Sequence, residues 1–205
     1  MVWLMMLAWM MATTVWADSG DVPPPPAGVE RPQYKITVTQ KGKTLGAIVI
    51  ELFPDIAPKH VANFDSLVAI GFYNGTAFHR VIPNFMIQGG DPNSKTKPRD
   101  QWGYGDPSQK RIPAEFNKIS HRRGIVSAAR AADPNSATSQ FFICVADAPW
   151  LDGQYTVFGR VLQGMEVADA VVNVPRDQRD NPIDKVEMTI VKLEGKERIQ
   201  TAPKK

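Results

Sequence analysis

The sequence predicts a mainly β domain, an antiparallel barrel or sandwich, on three observations. Short runs of alternating apolar and polar residues recur from Tyr34 to Leu193, and only two stretches carry helical spacing. The strands also do not alternate regularly with helices, as the units of a parallel sheet would. With 205 residues the chain has room for one domain plus extra segments. No internal repeat is visible.

Ile36 and Val38, then Leu45, Ala47, Val49 and Glu51 with Ile48, Ile50 and Leu52, read as two strands around Lys41-Gly42-Lys43, a hairpin signal. A helix is predicted within Pro54 to Phe72. Val61, Phe64, Leu67 and Val68 recur at helical spacing, Pro58 suits a first turn, and Gly71 suits a C-terminal cap. Further strands are predicted at Phe78–Ile82, Phe85–Gln88, Ile125–Ala129, Phe141–Val145, Tyr155–Val161 and Lys185–Leu193, with a second short helix at Met165–Val172. Asp91 to Arg111 is long, polar and rich in Gly and Pro. A loop of that length in a small domain is usually functional or mobile.

Composition excludes several classes. Lys and Arg total 24 against 21 Asp and Glu, a net charge of +3, which is too small to suggest a nucleic-acid surface. One cysteine cannot build a disulfide framework or a Cys-rich zinc site. His60, His79 and His121 lack ligand-like spacing, so no metal site is expected. Cys144 lies in an apolar strand and reads as a buried thiol. Gly103-Tyr104-Gly105 has no Lys-Ser/Thr continuation, which argues against phosphate binding.

The two ends read differently from the middle. Residues 1–17, MVWLMMLAWMMATTVWA, carry no charged side chain. The apolar run from Val2 to Met11 has the length of a signal-peptide core and is short for a membrane-spanning helix of ~20 residues. Val15 and Ala17 suit the −3 and −1 positions of a cleavage site, so the expectation is export to a periplasmic or secreted location. An uncleaved anchor touching a membrane is the alternative. Residues 18–32, with Pro23 to Pro26, read as an extended linker. The domain is expected over 33–195 and a basic tail over 196–205.

Three blocks carry a resemblance. They are Phe78-His79-Arg80-Val81-Ile82-Pro83-Asn84-Phe85-Met86-Ile87-Gln88-Gly89-Gly90-Asp91, then Ser136-Ala137-Thr138-Ser139-Gln140-Phe141-Phe142-Ile143-Cys144, then Trp150-Leu151-Asp152-Gly153 followed by Val157-Phe158-Gly159-Arg160-Val161. In order and spacing they resemble the cyclophilin-type peptidyl-prolyl cis-trans isomerases, and the likeness runs from about Tyr34 to Glu194. It implies a closed eight-stranded antiparallel barrel capped by two α-helices.

The implied chemistry has a simple physical basis. The Xaa-Pro bond is held by amide resonance behind a barrier of ~18–20 kcal/mol, and turns unaided over tens to hundreds of seconds. In the twisted transition state the prolyl nitrogen regains its lone pair, so a fixed donor aimed at it binds that state preferentially. A guanidinium can be such a donor, being planar and charged at any relevant pH. No nucleophile, metal or cofactor is required. Each tenfold of acceleration takes ~1.4 kcal/mol, so positioning of the flanking backbone must contribute as well.

Residue by residue, the resemblance makes Arg80 the donor and Gln88 its orienting partner and a contact to substrate backbone. Phe85, Met86, Phe142 and Leu151 line the proline pocket, and Gln140 lies beside it. Ala129 and Arg130 offer backbone groups to the residue before proline. Trp150 forms part of the rim, at the position whose indole favours cyclosporin binding in many members. The implied partners are proline-containing polypeptides, with a cyclosporin-type ligand at the same site, and the chain is expected as a monomer. The sequence departs from the eukaryotic pattern at Tyr155, a pocket position where His is usual, and at Arg130, where Asn is usual. The cationic Arg130 would bias the site toward acidic neighbours of proline. The Asp91–Arg111 loop is also unlike the usual compact Gly-rich loop. Taken alone, Arg80 is a surface ion-pair residue and His79 a structural histidine; the constellation changes that weighting. An enzyme and a non-catalytic proline-peptide binding module both use such a pocket, and an intact donor favours the enzyme.

Overall fold

Alternation in the first strand pair sets the barrel wall. In the computed structural model, which describes residues 22–200, strands β1 (Gln33–Gln40) and β2 (Lys43–Leu52) form a hairpin with Tyr34 opposite Ile50 and Ile36 opposite Ile48. Those four side chains, with Val38 and Leu52, are wholly buried on one face. The two-residue turn needs positive φ at both positions, and Lys41 and Gly42 adopt 51° and 71°.

Six more strands complete the wall: β3 (Thr76–Ile82), β4 (Met86–Gly89), β5 (Ile125–Ala128), β6 (Phe141–Cys144), β7 (Val157–Gln163) and β8 (Val186–Leu193). They close in the order β1-β2-β7-β5-β6-β4-β3-β8, every neighbouring pair antiparallel. The chain is therefore mainly β and a closed eight-stranded barrel, as expected.

Helix α1 (Pro58–Ala69) buries His60, Val61, Phe64 and Val68 in the barrel core. Phe64 is the hub, with ring centroids 5.2 Å from Tyr34, 4.9 Å from Tyr73, 5.6 Å from Phe141 and 5.9 Å from Phe158. The helix ends in a Schellman turn: Gly71 N donates to Val68 O and Phe72 N to Leu67 O, both at 2.9 Å, with Gly71 at φ 66°. Its start has no local side-chain cap. Glu115 supplies one from a distant loop, accepting the amides of Lys59 and His60 at 3.0 Å each.

The structure adds a third helix to the two expected. A single helical turn, α2 (Asn93–Thr96), lies inside the Asp91–Arg111 loop, and four residues are too few to show periodicity in a sequence. The second expected helix is α3 (Met165–Val172), whose Val167, Ala168, Val171 and Val172 join the same core as α1. Gly164 begins it at φ 90°, and a Cβ there would lie 2.2 Å from the Ala47 carbonyl oxygen of β2.

Strand ends differ from expectation where a turn intervenes. Phe85 closes a turn onto the Ile82 carbonyl, so β4 begins at Met86. Tyr155 is bonded back to Leu151, so β7 begins at Val157.

The expected export segment lies outside the described residues. The described parts of the linker and tail pack against the barrel. Val22 packs beside Phe53, Ile119, Ile125 and Val157. Buried Arg31 makes a paired contact with Asp55 at 2.9 and 2.7 Å and sits over the Phe53 ring. Ile199 packs on Val49, Leu162 and Leu193, and its backbone exchanges two hydrogen bonds with the Gln33 side chain. Arg198 bonds Glu30 and the Arg31 carbonyl. Among the described residues, no helix is long and apolar enough to cross a membrane.

The two glycines separate strain from clash. Gly42→Ala meets open space and should cost about 1 kcal/mol through backbone strain alone, whereas Gly164→Ala should cost more than about 2 kcal/mol. Urea denaturation of both variants checks this, and equal losses would show that the Ala47 carbonyl yields easily.

Candidate active site

Register places the site on the outer face of the barrel. Across β3, β4, β6 and β5, Arg80 pairs with Gln88, Gln88 with Phe142, and Phe142 with Ser127. One step along, Ile82 pairs with Met86 and Met86 with Cys144. Because strand side chains alternate between faces, these two rows point the same way, while Val81, Ile87, Ile143 and Val126 point into the barrel core.

The second row is part of a separate apolar cluster. Met86, Phe142, Cys144, Ala148 and Leu151 are buried together, with Ile82, Phe85, Ala129 and Tyr155 packed around them. The turn over Pro149–Leu151 and the residues up to Tyr155 form one wall. Tyr155 meets Phe142 edge-on at 5.9 Å, and Trp150, 57% exposed, stands 5.6 Å from Phe85 as an accessible rim. The structure thus gathers the expected Phe85, Met86, Phe142, Leu151, Tyr155 and Trp150 around one apolar site.

The polar edge runs through the first row. Exposed Arg80 reaches Gln88 Oε1 by a long contact from Nη1, 3.5 Å. Gln88 Nε2 donates to Gln140 Oε1 at 3.1 Å, and Gln140 Nε2 donates to the Gly103 carbonyl at 3.1 Å. Beyond them lies a cleft of about 290 Å³ whose lining includes Gln88, Gln140, Ala129, Arg130, Tyr104 and Arg111. The amide of Ala129 is committed to the Gln140 carbonyl at 3.0 Å, which leaves its own carbonyl as the group to offer a peptide.

The two departures in the pocket prove to be one feature. The Arg130 guanidinium lies 4.4 Å over the Tyr155 ring. It also donates to the carbonyls of Gln154, Ala131 and Ala132 at 2.9–3.3 Å. Tyrosine gives the cation a π face, and the arginine is folded along the rim by it. Its donors are largely spent within the chain, which weakens the expected pull on acidic neighbours of proline.

Sequence reasoning missed the residues that support the floor. His121, fully buried, stacks on Phe142 with centroids 6.0 Å apart and an interplanar angle of 15°. Its Nδ1 lies 2.9 Å from Asp152 Oδ1 and its Nε2 3.0 Å from Ser127 Oγ. A carboxylate only accepts, so a ring proton sits on Nδ1, while the single proton of the Ser127 hydroxyl is shared between His121 Nε2 and the Thr156 carbonyl, 2.9 Å from Oγ. Asp152 stands in the third quoted block, but its link to a histidine 31 positions away has no local signature. Burial pushes the Cys144 thiol up to about 12, consistent with an inert packing role.

The chain is similar to several known proteins along most of the described domain. Residues 35–193 match the model of a family described as cyclophilin type peptidyl-prolyl cis-trans isomerase/CLD. The chain is 49% identical over 130 residues to a probable peptidyl-prolyl cis-trans isomerase of Brucella suis biovar 1, a match covering 62% of this chain and 66% of that protein, just under two thirds of its length. It is 43% identical over 141 residues to a peptidyl-prolyl cis-trans isomerase of Schizosaccharomyces pombe, covering 69% of this chain and 88% of that one. A crystal structure of a Cryptosporidium parvum cyclophilin type peptidyl-prolyl cis-trans isomerase, in the presence of the dipeptide Ala-Pro, matches with a TM-score of 0.70 and 34% identity, covering 80% of this chain and 99% of that chain.

The buried histidines give stability a pH dependence. Burial holds the imidazoles of His60 and His121 below their ordinary value, against their carboxylate partners Glu115 and Asp152, and pushes His79 down to about 4. The unfolded chain therefore binds more protons than the folded one below about pH 6.5. The thermal midpoint should be flat from about pH 8 to 6.5 and fall steadily toward about pH 4. Thermal melts across that range check it; a midpoint unchanged at about pH 5 would contradict it.

Proposed function

The chain belongs to the cyclophilin-type peptidyl-prolyl cis-trans isomerase family, and from that premise we propose that it accelerates rotation about Xaa-Pro bonds in folding polypeptides, with Arg80 as the donor. The observation that carries this reading is the adjacency of the two rows. An exposed guanidinium and two amides stand one pleat from a buried apolar cluster with an accessible aromatic rim. A proline ring seated among Phe85, Met86, Phe142 and Leu151 brings its nitrogen beside the Arg80 edge. Gln88 holds the guanidinium and Ala129 offers a carbonyl to the preceding residue.

Catalysis then rests on geometry rather than on bond making. The donor gains strength as the nitrogen pyramidalises, so the twisted state is held more tightly than either planar isomer. The pocket and the neighbouring cleft hold the flanking chain while the bond turns. Removing the donor should lower turnover by ~10²–10³-fold. NMR exchange on a short Xaa-Pro peptide, comparing the full chain with Arg80→Ala, measures this without a coupling protease. Peptide binding with no faster exchange in the parent would show a recruiting module instead, and an unchanged rate in the variant would remove Arg80 from the mechanism.

We also propose that the chain acts after export. The uncharged run over residues 1–17 and the Val15-Trp16-Ala17 site support this. Mass spectrometry of the mature protein should find a chain beginning at Asp18, and retention of Met1 would favour an anchored or cytosolic protein.

A further inference from the structure

Arg80 is oriented by a relay whose sense is fixed at its far end. Each glutamine amide has an accepting oxygen and a donating nitrogen, so it can be flipped without losing its shape. The Gly103 carbonyl only accepts. It therefore draws the nitrogen of Gln140, which turns the Gln140 oxygen toward Gln88. Gln88 must then answer with its own nitrogen, leaving its oxygen for the guanidinium of Arg80. Without that carbonyl in place the pair can flip together and present an amide NH₂ to the cation, which repels it.

The place of Gly103 is set by a buried knot at the start of the loop. Asp91, fully buried, accepts the Gly103 amide at Oδ2 and the Asn93 amide, 3.0 Å away, at Oδ1. Ser94 donates its hydroxyl to the Asp91 carbonyl and accepts the Ala77 amide of β3 at 2.8 Å, joining the knot to the strand that carries Arg80. Asn93 Nδ2 reaches the carbonyls of Gln101 at 3.3 Å and Gly105 at 2.8 Å, bracing the chain on either side of Gly103.

We propose that Asp91 is a positioning residue for isomerisation: by anchoring the Gly103 N–H it fixes the residue whose carbonyl sets the amide orientation of Gln140 and Gln88, and so presents Arg80 to the prolyl nitrogen. Asn93 braces the chain on either side of that residue. This rests on the assignment of Arg80 as donor, and Arg80→Ala in parallel separates the two ideas. A normal rate in Arg80→Ala removes the donor. A loss in Arg80→Ala with no loss on disturbing the knot removes only the relay.

The test is a mutant cycle in the full chain, read by NMR exchange on an Xaa-Pro peptide. Asp91→Asn should lower kcat about tenfold, with KM changed by less than about twofold. Gln140→Ala should lower kcat by a similar factor, and the double variant should be no worse than Gln140→Ala alone. The side-chain amide resonances of Gln88 and Gln140 should shift in Asp91→Asn while core methyl resonances do not. A parental kcat in Asp91→Asn, or a double variant whose loss is the product of the two, overturns the proposal. Should Asp91→Asn fail to fold, Asn93→Ala carries the same test with an expected loss of about threefold that vanishes in the Gln140→Ala background. A loss that persists there, or no loss at all, overturns it equally.

Discussion

Strand register is the constraint on which the site depends. A shift of one residue between β3 and β4, or between β4 and β6, would turn Arg80, Gln88 and Phe142 into the barrel and bring Val81, Ile87 and Ile143 out. The barrel core and the pocket are thus two faces of the same four strands. The packing of Phe64 against Tyr34, Tyr73, Phe141 and Phe158 on the inner side fixes which residues the outer side displays.

The aromatic floor of the outer face has a polar support. His121, Asp152 and Ser127 hold Phe142 from beneath, and Tyr155 and Arg130 brace it from the rim. Buried polar groups of this sort cost stability unless every partner is met, and here the ring nitrogens of His121 are both met. The result is a flat aromatic floor with little rotational freedom, which suits a site whose proposed role is to hold one ring while an adjacent bond turns.

Much of this was legible in the residues. Period-two alternation located β1 and β2, helical spacing located α1 and α3, and the three quoted blocks located the residues of the pocket. What stayed hidden depends on contacts far apart in sequence. The cap that Glu115 gives α1, the tie between His121 and Asp152, and the pairing of Glu30 with Arg198 join residues without any local pattern. The Pro23 to Pro26 tract makes residues 18–32 read as an extended linker, and nothing local shows that Arg31 is buried. Arg130 read as a free cation because the ring it covers sits 25 positions later.

The joining of the two ends has a mechanical consequence. The first residue of β1 faces the last of β8, Gln33 opposite Leu193, so both ends of the described chain leave from the same rim of the wall. A force drawing the termini apart would peel that strand pair open one hydrogen bond at a time instead of shearing all of them together. The bonds between Gln33 and Ile199, and between Glu30 and Arg198, are the first rungs to be loaded. Fixed at its amino end alone, the domain would hang with its carboxyl end beside the tether, and tension in that tether would reach the barrel at its own seam.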